Sequence, residues 1–285
     1  MVNISEAVKI GAEILSAYDN ARLEAEILLK DVLNQDSIFL VTHSSDVLLS
    51  ADFDKFLLHC KRRAAGEPSA YITGKKEFMS LEFEVDKNVL IPRPETELTV
   101  EIIIDKYSKK NAYIADICTG SGAIACSLAK YLQDAHVTAT DISKAAIDIA
   151  QKNAKRLGVS ERVEFMISDA LADRYKFEKR FDVIVSNPPY IETDTVKTLE
   201  TCVKDYEPVI ALDGGTDGLE FYRKISKNVK IFVNPGAMII FEIGYNQGAD
   251  VGNILYADGW KDIEVIKDYS SNDRIVLAYD DQLSK

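Results

Sequence analysis

Asp116-Ile117-Cys118-Thr119-Gly120-Ser121-Gly122-Ala123-Ile124-Ala125 joins an apolar strand to the helix behind it. Glycines at such a junction let the backbone come close to a ligand and expose helix N–H groups to it. Beyond it the chain alternates regularly. Strands are expected near 113–118, 136–141, 163–168, 181–186 and 237–243, with helices near 122–132, 144–157, 217–228 and 246–256. Ala146, Ile147, Ala150, Ala154 and Leu157 share one face of the second of these helices, which Ser143 can cap and Gly158 can end. This alternation predicts an α/β fold with a doubly wound, mainly parallel sheet. The tail differs: strand-like runs at 263–266 and 274–279 are joined by the polar turn Ser270-Ser271-Asn272-Asp273, with no helix between them. A closing antiparallel hairpin fits that pattern.

Residues 1–75 read as a small helical domain. Ile4, Val8, Gly11, Leu15 and Tyr18 fall on one helix face, and Ala25, Leu28, Leu29, Val32 and Leu33 on another, with Asp19-Asn20 breaking between them. A third helix is expected over about 51–65, ending near Gly66 and Pro68. Nothing in this part carries evident chemistry, so docking a partner and a purely structural role fit equally well. Over 76–95 the period changes, with Phe78, Leu81, Phe83 and Val85 interleaved with polar residues, which suggests an extended hairpin linker. Pro94 at a first helical position, with Glu95 and Glu97 in the first turn, then starts a helix that runs to about Tyr107. The third domain, over 96–285, holds the strand–helix alternation.

Composition limits the function classes. The 285 residues hold 34 basic against 46 acidic side chains, a net charge of −12. The first 80 residues carry nine basic and twelve acidic groups, so no basic domain hides inside an acidic average. Nucleic-acid binding draws affinity from neutralising phosphates, and this balance argues against a bare polyanion as substrate. The basic runs Lys61-Arg62-Arg63 and Lys75-Lys76 are expected on a solvated surface. Four cysteines without a CxxC pair and three scattered histidines argue against a metal site or a disulfide framework. Glu6 and Glu13 are wrong for a signal peptide, and no apolar run approaches the roughly 20 residues needed to span a bilayer. A cytoplasmic monomer is the expectation.

The ligand site is read from strand ends. Asp141 ends the second strand, 21 residues after Gly120, where a carboxylate can accept from ribose hydroxyls. Gly120-x-Gly122-x-x-Ala125 also satisfies the dinucleotide fingerprint, so a nicotinamide enzyme is a rival reading. Asp116 weighs against it: a carboxylate beside the turn would repel a pyrophosphate and attract the ammonium and sulfonium of S-adenosylmethionine. Asp169, ending the third strand, can accept from an adenine amino group. The apolar run 181–186 then stops at Asn187-Pro188-Pro189-Tyr190, because proline lacks a backbone N–H and fixes φ. An amide side chain, a rigid main-chain carbonyl and an aromatic ring at a sheet edge suit a planar, NH2-bearing group.

Together these residues resemble the S-adenosylmethionine-dependent methyltransferases of the seven-stranded Rossmann-like class, and Asn-Pro-Pro-Tyr resembles those that methylate amino groups. Ile91-Pro92-Arg93-Pro94-Glu95-Thr96-Glu97 is similar to the signature of the release factor glutamine methyltransferases. So are Glu242-Ile243-Gly244 with Gln247-Gly248, and Asp268-Tyr269 with Asn272-Asp273-Arg274. The resemblance covers essentially the whole chain, helical domain included. It implies methylation of the N5 nitrogen of the glutamine in the Gly-Gly-Gln motif of peptide chain release factors. It further implies cofactor contacts from Cys118, Thr119, Gly120, Ser121, Gly122, Asp141, Asp169, Ala170 and Asn187, and substrate contacts from Asn187, Pro188, Pro189 and Tyr190. Cys118 stands where many relatives have glycine, and Ala170 where some have an aromatic residue. In the mechanism that follows, the Asn187 side-chain oxygen and the Pro188 carbonyl accept the two N–H bonds of the substrate amide, and Tyr190 packs against the amide plane. Arg93, confined between two prolines, either orders the linker strap or touches substrate. Alternatives are a nucleic-acid amino-group methyltransferase using the same tetrapeptide, and a non-catalytic cofactor-binding scaffold.

Overall fold

The computed structural model describes residues 1–108, 110–170 and 180–281. They form two compact units, one of Met1–Lys75 with Glu200–Tyr206, the other of Lys76–Leu199 with Glu207–Lys285.

The first unit contains α1 (Ile4–Ile14), α2 (Ala21–Leu33), α3 (Ser37–Thr42), α4 (Ser50–Ala64) and α5 (Ser69–Thr73). Asn3 and Glu6 form a reciprocal capping box that satisfies two donors at the start of α1. The helices α3 and α5 are too short to display a period, which is why the apolar pattern shows fewer elements than the structure does. Gly11 is fixed by closeness: a Cβ there would lie 2.5 Å from the Phe56 ring and 2.9 Å from Ala25. Arg63 corrects the sequence expectation of a solvated basic run. It is only 8% exposed, and its guanidinium donates to both carboxylate oxygens of Glu24, at 3.0 and 3.2 Å. The reason is positional: Arg63 follows Phe56 and Cys60 on the inward face of α4, and α2 supplies a partner charge there. Removing one member of such a buried pair costs about 3–5 kcal/mol.

The second unit opens with the hairpin β1 (Lys75–Phe78) and β2 (Leu81–Glu84), whose turn residues Met79 and Ser80 both have positive φ, 51° and 54°. That is the primed geometry a two-residue hairpin demands. Then come α6 (Pro94–Tyr107), β3 (Tyr113–Ile117), α7 (Ala123–Tyr131), β4 (His136–Asp141), α8 (Lys144–Leu157), β5 (Val163–Ile167) and β6 (Phe181–Ser186). After α9 (Thr193–Val196), and past α10 (Thr201–Lys204), which belongs to the first unit, the chain adds α11 (Glu220–Val229), β7 (Val233–Glu242), α12 (Gly248–Ala257), β8 (Lys261–Lys267) and β9 (Asp273–Tyr279). Seven strands form one sheet in the order β5-β4-β3-β6-β7-β9-β8. It is parallel except at β9, which runs antiparallel to both β7 and β8, as the helix-free tail predicts.

Alternation along the strands builds two apolar layers. Ile114, Val183, Val185, Met238 and Ile240 face one side, where they meet α6 and α7. Ala115, Ile117, Ile184, Ile239 and Phe241 face the other, with α11 and α12. Both faces of the central strands are thus dry, which is what continuous apolar runs in a parallel sheet signify. Strand β7 begins four residues earlier than its apolar run, because Asn234, Pro235 and Gly236 break the pattern and the pairing with β6 shifts register there. Among the described residues, no helix is long and apolar enough to cross a membrane.

Candidate active site

The carboxyl ends of β5, β4, β3 and β6 converge on a cavity of about 330 Å³. Crevices of this size at this edge of an open α/β sheet take small ligands. Residues 118–121 follow β3, Asp141 ends β4 with 142–143 after it, 168–170 follow β5, and Asn187 and Pro189 follow β6; all line the wall. Arg93 and Thr96, where α6 begins, and Phe221 and Lys224 of α11 complete it.

The turn after β3 is held by backbone conformation. Cys118, Gly120 and Gly122 all have positive φ, at 62°, 55° and 78°. Gly122 also packs tightly, since a Cβ there would lie 3.0 Å from that of Ala150. The turn is pinned to its neighbour: Thr119 N donates to the Thr140 carbonyl at 2.9 Å, and Gly120 N to Asp141 Oδ2 at 2.9 Å. Asp141 accepts a second backbone bond, from Ser143 N at 2.9 Å, while burial raises its carboxyl above the usual carboxylate range. Burial likewise holds the Cys118 thiol well above its ordinary value, so no thiolate stands on the wall to compete for an electrophile.

Asp116 departs from the sequence expectation. It is fully buried behind the turn rather than on the cavity wall. Its Oδ2 accepts from the Thr119 hydroxyl at 2.6 Å and from Ala125 N at 3.1 Å, so it staples the turn to the start of α7. Its Oδ1 has no partner among the described residues, and burial pushes its carboxyl up to about 7. The apolar layer leaves it no route to solvent, which is why the charge expected at the cavity mouth lies inside instead.

Asp169 and Ala170 are both on the wall, Ala170 with a positive φ of 49°. Both positions that depart from the family's pattern are therefore left-handed residues other than glycine. Lys224 reaches Asp169 Oδ2 at 2.5 Å. Beside them the buried Ser168 hydroxyl lines the cavity with no partner among the described residues.

At the opposite end, Asn187 Nδ2 donates to Thr96 Oγ1 at 3.2 Å, and the Thr96 hydroxyl donates to Glu242 Oε2 at 2.6 Å. Tyr190 is not on the wall. Its ring packs into the layer beneath α11 and α12, and its hydroxyl lies 3.5 Å from Glu242 Oε1. Pro188 and Pro189 are buried, and Pro189 lines the wall. Arg93 pairs with the buried Glu207, which also accepts from Ile91 N at 3.3 Å, so this ion pair fastens the strap over 91–93 beside the cavity.

Several supporting contacts escape a reading of the sequence, even where, as at Gln247, the residue stands in a motif. Gln247 donates to the Tyr190 carbonyl at 3.0 Å and accepts from Gly244 N at 2.9 Å. Gly214 and Gly218 press on the same segment: side chains there would lie 2.7 Å from Tyr190 Cα and 2.4 Å from its carbonyl oxygen. The glycine cluster of 214–218 is a signal that could have pointed to close backbone approach. Glu207 carried no signal, because an acid in a loop is ordinary until its burial is known.

Two family models match the chain, a methyltransferase small domain over residues 95–208 and a PrmC N-terminal domain over residues 6–74. The chain is 43% identical over 257 residues to the release factor glutamine methyltransferase of Clostridium acetobutylicum, covering 90% of each protein. It is 36% identical over 284 residues to the protein of that name in Bacillus subtilis, covering 98% of each. Among solved structures, a methyltransferase from Pyrococcus furiosus shares the fold with a TM-score of 0.53 at 18% identity, over 82% of this chain and all of that one. The hMettl16 catalytic domain does so with a TM-score of 0.57 at 16% identity, over 81% of this chain and 82% of that one.

Proposed function

The chain belongs to the release factor glutamine methyltransferase family, and on that premise we propose that it moves the methyl group of S-adenosylmethionine onto N5 of the glutamine in the Gly-Gly-Gln motif of peptide chain release factors. The observation that carries this reading is the Asn187 amide on the cavity wall, with its NH2 group already engaged by Thr96. Its oxygen is then the atom left to receive a substrate.

The residues present fit the cofactor. Asp141 and Asp169 offer carboxylate oxygens at successive strand ends, Ser168 offers an unused hydroxyl, and the cavity is nucleoside-sized. Asp141 would take the ribose hydroxyls and Asp169 the adenine amino group, with the backbone at 118–122 close to the remainder. Asp116 contributes by fixing that turn rather than by touching the ligand. S-adenosylmethionine supplies an activated methyl group on a cationic sulfonium when bound.

The chain's own task is orientation. A carboxamide nitrogen is a poor nucleophile, because its lone pair is delocalised into the carbonyl. Asn187 Oδ1 and the Pro188 carbonyl accept its two N–H bonds, which directs the lone pair toward the incoming carbon. The same acceptors stabilise positive charge as it develops on nitrogen. Orientation of this kind contributes roughly 7–11 kcal/mol in favourable systems. Tyr190 fixes the tetrapeptide from behind, through its carbonyl on Gln247 and its ring in the apolar layer. Arg93 serves by tying the strap at 91–93 to Glu207. We take the helical first unit to be the part that docks the release factor, and the enzyme to work as a cytoplasmic monomer.

Incubation with methyl-labelled S-adenosylmethionine and, separately, a release factor, DNA or RNA tests the assignment. Mass spectrometry should find the added methyl on the Gly-Gly-Gln glutamine alone. Label entering only the nucleic acids would overturn it.

A further inference from the structure

The amide of Asn187 can receive a substrate NH2 only if its oxygen faces the cavity, and nothing in the tetrapeptide itself decides between its two ends. Thr96 decides. A hydroxyl has one proton to give. That of Thr96 is directed at Glu242 Oε2, 2.6 Å away, in a site where Thr96 is 4% and Glu242 1% exposed. The Thr96 oxygen is then limited to accepting, so the group 3.2 Å from it must be a donor, the Nδ2 of Asn187.

We infer that Thr96 and Glu242 are positioning residues for methyl transfer, acting together to turn the oxygen of the Asn187 amide toward the substrate nitrogen. This rests on the reading of Asn187 given above. The sequence distances explain why the arrangement needs the fold: Thr96 stands 91 residues before Asn187 and 146 before Glu242. The first turn of α6 and the end of β7 come together with the end of β6 only in the assembled unit.

The direction of the chain depends on the charge of Glu242. As a carboxylate it can only accept, from Thr96 and from the Tyr190 hydroxyl. Once protonated it has a proton for Thr96, whose own proton is then free for Asn187, and the amide can turn its NH2 toward the substrate NH2. Two donors then face each other. Burial pushes Glu242 up to about 7, so the change falls in an accessible pH range. The groups around Glu242 are known: Arg274 of β9 favours its charge, Glu95 of α6 opposes it, and the Thr96 and Tyr190 hydroxyls stabilise it by hydrogen bonds. Tyr222 of α11 stands close by, donating to the Glu242 backbone carbonyl at 2.9 Å.

The test measures kcat, KM and cofactor affinity from pH 6 to 9 for the unaltered chain, Thr96→Val, Thr96→Ser, Glu242→Gln and Asn187→Ala, with release factor as substrate. The unaltered enzyme should lose kcat as pH falls through about 7, in a one-proton step. Thr96→Val should lower kcat at least tenfold and leave the Kd for S-adenosylmethionine within twofold. Thr96→Ser, which keeps the hydroxyl, should restore it. Glu242→Gln, whose amide can both donate and accept, should lower kcat and erase the step. A Thr96→Val enzyme with unaltered kcat, or a pH step that survives Glu242→Gln, overturns the inference. If Asn187→Ala is inactive in either of those cases, the function proposed for Asn187 stands and only the positioning chain fails. If Asn187→Ala retains full kcat, both fall together.

Discussion

The turn after β3 and the turn after β6 stand at the same edge of the sheet and are held by opposite means. The first is shaped largely from within: three left-handed residues, Cys118, Gly120 and Gly122, fix its path, and Asp116, Thr119 and Asp141 staple it from within 22 residues, with Asn153 of α8 added on the Ser121 carbonyl. The second is shaped from outside. Two prolines give it stiffness, but the orientation of Asn187 comes from Thr96 and Glu242, and its backbone is braced by Gln247, Gly214 and Gly218. A cradle for a cofactor can be made locally. A grip that must choose between two nearly identical ends of an amide needs fixed polar partners, and those arrive from distant parts of the chain.

The contrast can be broken most sharply at Asn187. Asn187→Ala should reduce turnover by about 10²–10³-fold or more, as loss of one preorganised polar group does elsewhere. Cofactor affinity should stay within about tenfold, or 1.4 kcal/mol. Steady-state rates on a release factor and calorimetric titration report the two separately, and equal losses in both would erase the division of labour between the turns. At the other turn, Asp141→Ala should weaken S-adenosylmethionine binding by about 10–100-fold, the value of a charge-assisted hydrogen bond at roughly 1.5–3 kcal/mol. A titration showing unchanged affinity removes Asp141 from the cofactor site.

What could be read in the sequence follows the same line. The strand–helix alternation, the glycine turn and Asp141 are local patterns with local causes, and the structure has them where the periodicity puts them. The closing hairpin was legible because two strand-like runs lacked a helix between them. Asp116 was misplaced because sequence gives its position near the end of β3 but not the face of the strand from which its side chain leaves. Arg63 was misread because the charge partner that lets it be buried, Glu24, lies 39 residues away on another helix. For Asn187 the residue type was legible and its orientation was not. Thr96 and Glu242 stood inside recognisable motifs, yet only the fold reveals that one hydroxyl links them.

Smaller effects are expected from backbone strain and from buried charge. Gly122→Ala should destabilise the second unit by about 1–2 kcal/mol, since an alanine at φ 78° meets both left-handed strain and the Cβ of Ala150. Chemical denaturation measures it, and an unchanged midpoint would mean the turn does not rely on its own backbone. Glu242 carries a proton linkage of the opposite kind from a salt-bridged acid. Its folded value, about 7, lies above the ordinary glutamate value of 4.5, so the folded state holds the extra proton and stability falls as pH rises between those values. Thermal melts should show Glu242→Gln flattening that decline, and an identical decline in both proteins would contradict it. Cys118→Gly should have the least effect, within about 1 kcal/mol. Relief of the left-handed strain at φ 62° is offset by the greater freedom glycine gives the unfolded chain.

The most direct test of the account is a crystal structure of the enzyme with S-adenosylhomocysteine and a Gly-Gly-Gln peptide. The glutamine NH2 should lie within hydrogen-bonding distance of Asn187 Oδ1 and the Pro188 carbonyl, with Asn187 Nδ2 still on Thr96. A glutamine bound elsewhere in the cavity, or an Asn187 that keeps its oxygen away from the substrate nitrogen, would contradict it.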